Sequence, residues 1–149
     1  MKKLGLALVI APYIFAVAGL AAGATEVVKA RHDNFHKLGG DFKAISEQLK
    51  ADKPDLAVIQ AKAADAKALA GTMNSWFPAG SGPESGEKTE AKAEIWSDAA
   101  GFAAKREAFQ TESAKLQQVA AADNLEAIKM QFKATGESCK ACHSSYRAR

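Results

Sequence analysis

Two cysteines and a histidine near the C-terminus carry the most specific chemistry in this chain. Cys139-Lys140-Ala141-Cys142-His143 has the spacing C-x-x-C-H, the attachment pattern of a c-type haem. Each thiol adds across one haem vinyl group to form a thioether, and the adjacent imidazole is then on the side that reaches the iron. A redox-active C-x-x-C pair belongs beside a βαβ pattern, which this sequence lacks. A structural zinc site needs further ligands within reach of the two thiols. No paired carboxylates or nucleophile–base arrangement accompanies the motif, so the chain is not expected to be an enzyme.

The elements that must position these groups are helices. Alanine is abundant and Val, Ile, Thr and Tyr are sparse, and no stretch alternates with period two. From Glu26 onward apolar residues step by three and four. The first segment carries Val28, Phe35, Leu38, Phe42, Ile45 and Leu49, with Arg31 on the same seam. Asp52-Lys53-Pro54 ends it, and Pro54 suits the first turn of the second helix. That helix carries Leu56, Ile59, Ala63, Ala66, Ala70, Met73 and Phe77. A loop rich in Gly and Pro follows, from Pro78 to about Thr89. The third helix carries Ile95, Ala99, Phe102, Phe109, Ser113, Leu116 and Ala120. Asp123 or Asn124 caps the fourth, which carries Leu125, Ile128, Phe132, Thr135, Cys139, Cys142 and Tyr146. The pattern predicts an all-α, antiparallel four-helix bundle with one covalently bound haem c. Its alanine-rich seams either pack very closely or enclose something large.

Length and charge narrow the context. The 149 residues, 48% hydrophobic, support one domain with a real core and exclude a disordered chain. Lys2 and Lys3, the apolar run Leu4 to Leu20 and the small residues Ala22-Gly23-Ala24 read as a secretory signal peptide over 1–24. A membrane anchor is the rival reading, but the small-residue exit favours cleavage. The domain is then 25–149, exported to the periplasm, with no membrane association after cleavage. Loss of Lys2 and Lys3 lowers the formal charge from +3 to +1, which gives no support to a nucleic-acid partner.

The chain resembles the class II c-type cytochromes of the cytochrome c′ family, which includes the low-spin cytochrome c-556 type. Beyond Cys139 to His143, the resemblance rests on Arg31 followed by Phe35, and on Trp76-Phe77-Pro78 before the loop. Glu94-Ile95-Trp96 and Tyr146-Arg147 complete it. It covers the whole of 25–149.

The resemblance implies one haem c held by Cys139 and Cys142, with His143 as the axial ligand of the iron. A charged guanidinium on an apolar seam is costly unless paired, and a haem propionate is the partner the resemblance implies for Arg31. The rival readings are snorkelling to the surface or an acidic side-chain partner. Arg147 is implied to lie near the proximal imidazole; a solvent-exposed arginine at the C-terminus is the rival reading. The residue four after the first-helix arginine faces the distal side of the iron in this family. Here it is Phe35, which has no donor atom, so the implied iron is five-coordinate. His36 and Met73 are the alternative sixth ligands of a low-spin, c-556-like electron carrier. His32 and His36 also have the spacing to share one surface metal ion. The implied roles are electron transfer with periplasmic redox partners and binding of small gases such as nitric oxide or carbon monoxide. Dimerisation through the first two helices, giving a homodimer, is a further implication.

Overall fold

The computed structural model describes residues 16–148, and side chains from Gly23 onward. The helices are α1 (Ala16–Lys50), α2 (Leu56–Thr72), α3 (Glu94–Ser97), α4 (Ala99–Ala120) and α5 (Leu125–Tyr146). Four long helices, two of the three connections short, make an antiparallel bundle, as the periodicity predicts. Of the expected signal peptide, 1–15 lies outside the described residues, and Ala16–Ala24 forms the first turns of α1.

Side-chain caps set the helix starts. Asp55, outside α2, accepts the backbone N–H groups of Ala57 (3.0 Å) and Val58 (3.2 Å). Pro54 therefore precedes the cap and is not in the first helical turn, which opens at Leu56, two residues later than the sequence predicts. Asn124 is the cap of α5 and accepts the Ala127 N–H at 3.0 Å. Its neighbour Asp123 takes a positive φ of 55° instead, and its carboxylate accepts the Gln60 amide at 2.7 Å.

Two expected helices are interrupted. The second stops at Thr72 and tightens into a 3₁₀ turn, Met73–Ser75, so Phe77 lies beyond it. The third breaks at Asp98, whose φ of −116° and ψ of 57° are not helical. Asp98 caps α4 by accepting the Gly101 N–H at 3.1 Å, and it also accepts the Tyr146 hydroxyl at 2.7 Å. Ala99, expected on the apolar seam, is exposed because it opens a new helix rather than continuing the old one.

The alanine seam is used for close approach. Ala63, Ala66 and Ala70 are almost wholly buried, and α2 packs tightly against both α1 and α4. Ile45, Ile59, Leu116 and Ile128 fill the end of the bundle nearest the short connections. The α4–α5 pair is equally tight, whereas α1 and α5 approach one another sparsely. That side is bridged by half-buried side chains, such as Phe42 against Phe132 with ring centroids 5.6 Å apart.

Candidate functional site

The open α1–α5 side leads to the cysteines. Cys139 and Cys142 are half-buried free thiols. Cys139 packs against the cluster of Leu38, Ala66, Ala70, Met73, Trp76 and Phe109, where Phe35 and Phe77 also pack. Cys142 packs against a second cluster, Ile95, Phe102 and Tyr146, which also takes in Phe77. The helix periodicity thus sets the two sulfurs against adjoining aromatic groups. Burial, with Cys142 adding to it, pushes the Cys139 thiol up to about 11. Burial raises Cys142 as well, against the opposing Lys105 ammonium. Both are neutral S–H groups near pH 7, poor in the thiolate that disulfide exchange requires.

His143 is exposed at the surface of α5, yet its neighbours partly desolvate it. That desolvation lowers its pKa, the Arg147 guanidinium lowers it further, and Glu90 opposes both. A neutral imidazole keeps a nitrogen lone pair for a metal. Arg147 ends α5, its N–H donating to the His143 carbonyl at 3.2 Å. Its side chain grips Glu90 through Nε (2.7 Å) and Nη2 (2.6 Å). Residues 90–92 are strapped along 146–148 by backbone hydrogen bonds, so the long loop buttresses the end of the cysteine helix.

Phe35 meets this cluster from α1, edge-on to Trp76 at 5.0 Å and to Phe77 at 6.2 Å. Met73 is buried in the same cluster. His36, the other alternative ligand, is exposed, and its ring lies against that of His32. Phe35 and Met73 are therefore brought to Cys139, whereas His36 is on the solvent flank of α1.

Arg31 is only 4% exposed. It does not snorkel, and among the described residues it forms no ion pair. Nη1 donates to the Ser81 hydroxyl (3.0 Å) and the Trp76 carbonyl (3.3 Å), while Nη2 donates to the Ser81 carbonyl (2.8 Å) and the Thr89 hydroxyl (2.9 Å). The Phe77 ring lies 4.9 Å from its guanidinium carbon. Burial lowers its pKa, against the distant pull of Glu84. Arg31 thus ties α1 to the long loop while its charge meets only neutral oxygens.

A second arginine was not singled out by sequence. Arg106 stands on α4 between Phe102, of the Cys142 cluster, and Phe109, of the Cys139 cluster. Its Nε is buried without a hydrogen-bond partner, and its guanidinium lies 6.0 Å from the Phe102 ring. The signal was available: like Arg31, it is a cation on an apolar seam, four after Phe102 and three before Phe109. A surface hollow of about 260 Å³ between α1 and the end of α2 is lined by Arg31 and Trp76 but by neither cysteine.

The family model for cytochrome c′ matches residues 26–147. The chain belongs to the cytochrome c′ family. It is 37% identical over 123 residues to cytochrome c′ of Alcaligenes xylosoxydans xylosoxydans, covering 82% of this chain and 93% of that protein. A nitric oxide complex of a single-residue variant of cytochrome c′ from Alcaligenes xylosoxidans superposes with a TM-score of 0.76 at 34% identity. The match covers 85% of this chain and 97% of that one. A cytochrome c′ described as having a ligand-controlled dimer dissociation superposes with a TM-score of 0.78 at 25% identity, covering 85% and 97%.

A cytochrome c′ carries one covalently attached haem c, and this chain has two cysteines in all. The residues present fit that group. Two unionised thiols stand on one helix among half-buried aromatic rings. Two guanidiniums on apolar seams, that of buried Arg31 and that of half-buried Arg106, have no carboxylate partner among the described residues, and the Arg106 Nε is buried without a hydrogen bond. A flat apolar macrocycle with two carboxylates at its edge matches both features.

Proposed function

We propose that this cytochrome c′ is a periplasmic mono-haem protein that transfers single electrons and binds small neutral gases such as nitric oxide and carbon monoxide. The observation that carries the reading is the meeting of Phe35 and Cys139 in one cluster, a side chain without a donor atom facing the attachment helix. Cys139 and Cys142 would hold the group, each S–H adding across one vinyl C=C bond with no change in net electron count. Haem c would supply a one-electron iron couple and a metal to which a small gas can bind. His143, kept neutral by burial and Arg147, would offer an imidazole lone pair to the haem iron. Phe35, with Trp76 and Phe77 against it, excludes water and gives dioxygen no hydrogen bond. Arg31 and Arg106 would answer the two propionates, and Arg147, held by Glu90, would keep its charge beside His143.

Nitric oxide is bound by a relative at 34% identity, which supports the gas-binding part, and the ligand-controlled dimer of another supports a homodimer. Among the described residues no helix is long and apolar enough to cross a membrane. Residues 1–24 serve as the export signal, with 25–149 as the working protein; periplasmic redox partners supply and remove its electrons, and no catalytic turnover is assigned to it.

A second reading has one observation behind it. Met73 is 6% exposed in the cluster that holds Cys139 and Phe35, so its thioether is better placed than His36 to act as a sixth ligand in a low-spin, c-556-like carrier. The absorption spectrum of the ferrous holoprotein, with and without carbon monoxide, separates the two. A high-spin spectrum that shifts on adding the gas is expected. A low-spin spectrum that Met73→Leu turns high-spin would overturn five-coordination in favour of the second reading.

A further inference from the structure

Of the three histidines, two take no part in the site above. His32 and His36 are one turn apart on α1, both exposed, with ring centroids 4.3 Å apart and planes at 49°. Asp33 lies beside them. Its Oδ1 is 3.6 Å from His32 Nδ1, while its Oδ2 accepts from Lys29 Nζ at 2.6 Å. The carboxylate is on the Nδ1 side of His32, and a proton held there would leave the Nε2 lone pair for a metal.

The far side of His36 is open. Helical side chains lean toward the N-terminus, so residues 39 and 40 are the ones that would cover it. Both are glycine, and a Cβ built on either meets nothing within 4 Å. Mid-helix glycine destabilises a helix relative to alanine, so helix stability does not account for this bare surface.

We infer that His32 and His36 form a two-imidazole site for a divalent late-transition-metal ion, copper(II) foremost. Imidazole suits copper, nickel and zinc, and copper(II) binds nitrogen sites most tightly among them. Among the described residues no group of three His, Cys, Asp or Glu gathers for a metal, so water must fill the remaining positions. Closed tetrahedral zinc sites need four protein ligands, whereas tetragonal copper(II) accepts two neighbouring nitrogens and water. Asp33 acts as a positioning residue through His32.

The test titrates the haem-loaded protein with copper(II) at pH 7.5 against glycine as a competing chelator, followed by electron paramagnetic resonance. One copper(II) per chain with hyperfine coupling to two imidazole nitrogens is expected. His32→Ala and His36→Ala should each weaken binding at least tenfold, and Asp33→Asn severalfold. Both histidines are exposed, so the haem absorption and helical circular dichroism of the variants should match the parent. Unchanged copper affinity in the double variant would overturn the site, because the ion would then be held elsewhere on the chain. A spectrum with one imidazole nitrogen, or none, would overturn it equally.

Discussion

At the scale of single residues, the chemistry turns on what Cys139, Cys142, His143 and Phe35 can and cannot donate. Replacing either cysteine by alanine should leave one thioether, and replacing both should abolish covalent attachment. Mass spectrometry after acid–organic extraction reads this directly; haem that leaves the unaltered polypeptide freely would sink the attachment assignment. Phe35 offers iron no lone pair, and its ring packs at the Cys139 cluster. Phe35→Ala should therefore speed carbon monoxide association by about tenfold, equivalent to roughly 1.4 kcal/mol of barrier. Phe35→Met should move the spectrum toward low spin. Stopped-flow mixing and absorption spectra check both, and an unchanged rate with alanine would mean the ring does not guard the iron.

At the scale of elements, one hydrogen bond joins the end of the cysteine helix to the start of α4. The Asp98 carboxylate accepts the Tyr146 hydroxyl at 2.7 Å, and the small space beside them admits only a glycine at 101, since a Cβ there would strike both groups. The same bond shifts the two pKa values in opposite directions. Hydrogen bonding to Tyr146, then to the Gly101 N–H, lowers Asp98 from its ordinary 3.8. Hydrogen bonding to Asp98, then burial, raises Tyr146 to about 12 from 10. For Asp98, the stabilisation is present above the unfolded value near pH 4 and is lost as pH falls through the lower folded value. For Tyr146, it is whole below about pH 10 and is lost as pH rises through about 12. Tyr146→Phe should thus lower Tm across the neutral range and remove its contribution to the alkaline transition. Equal alkaline profiles for the two proteins would count against the bond. The α2 cap gives a simpler case: Asp55→Ala should cost about 1 kcal/mol in urea unfolding, because two N–H groups lose their acceptor.

Across the whole molecule, helix packing is uneven. The pairs α1–α2, α2–α4 and α4–α5 are close, and α1–α5 relies on half-buried rings and thiols. A large apolar group covalently joined to α5 would cover those side chains and stabilise the folded state alone. The chain made without haem attachment should therefore melt at a lower temperature and less cooperatively than the holoprotein, with near-native far-ultraviolet circular dichroism. Calorimetry of the two forms is the measurement. Coincident, equally sharp transitions would show that the group contributes nothing to the core.

Local periodicity and spacing determined much of this protein before any tertiary contact. C-x-x-C-H points to covalent haem because two thioethers to one macrocycle need thiols only a turn apart, and that distance is covalent and helical. The four seams were legible for the same reason: a helix buries residues three and four apart, whatever lies opposite. Tertiary structure decided the rest. The break at Asp98 depends on a tyrosine 48 residues away, and no local signal carries that partner. Arg31 bonds to loop oxygens that sequence does not bring near it, and Arg106 acquires meaning only when Phe102 and Phe109 fall against different cysteines. Met73 and His36 are equally able to bind iron as side chains. Only the packing of α1 against α2 buries the first at the Cys139 cluster and leaves the second in water.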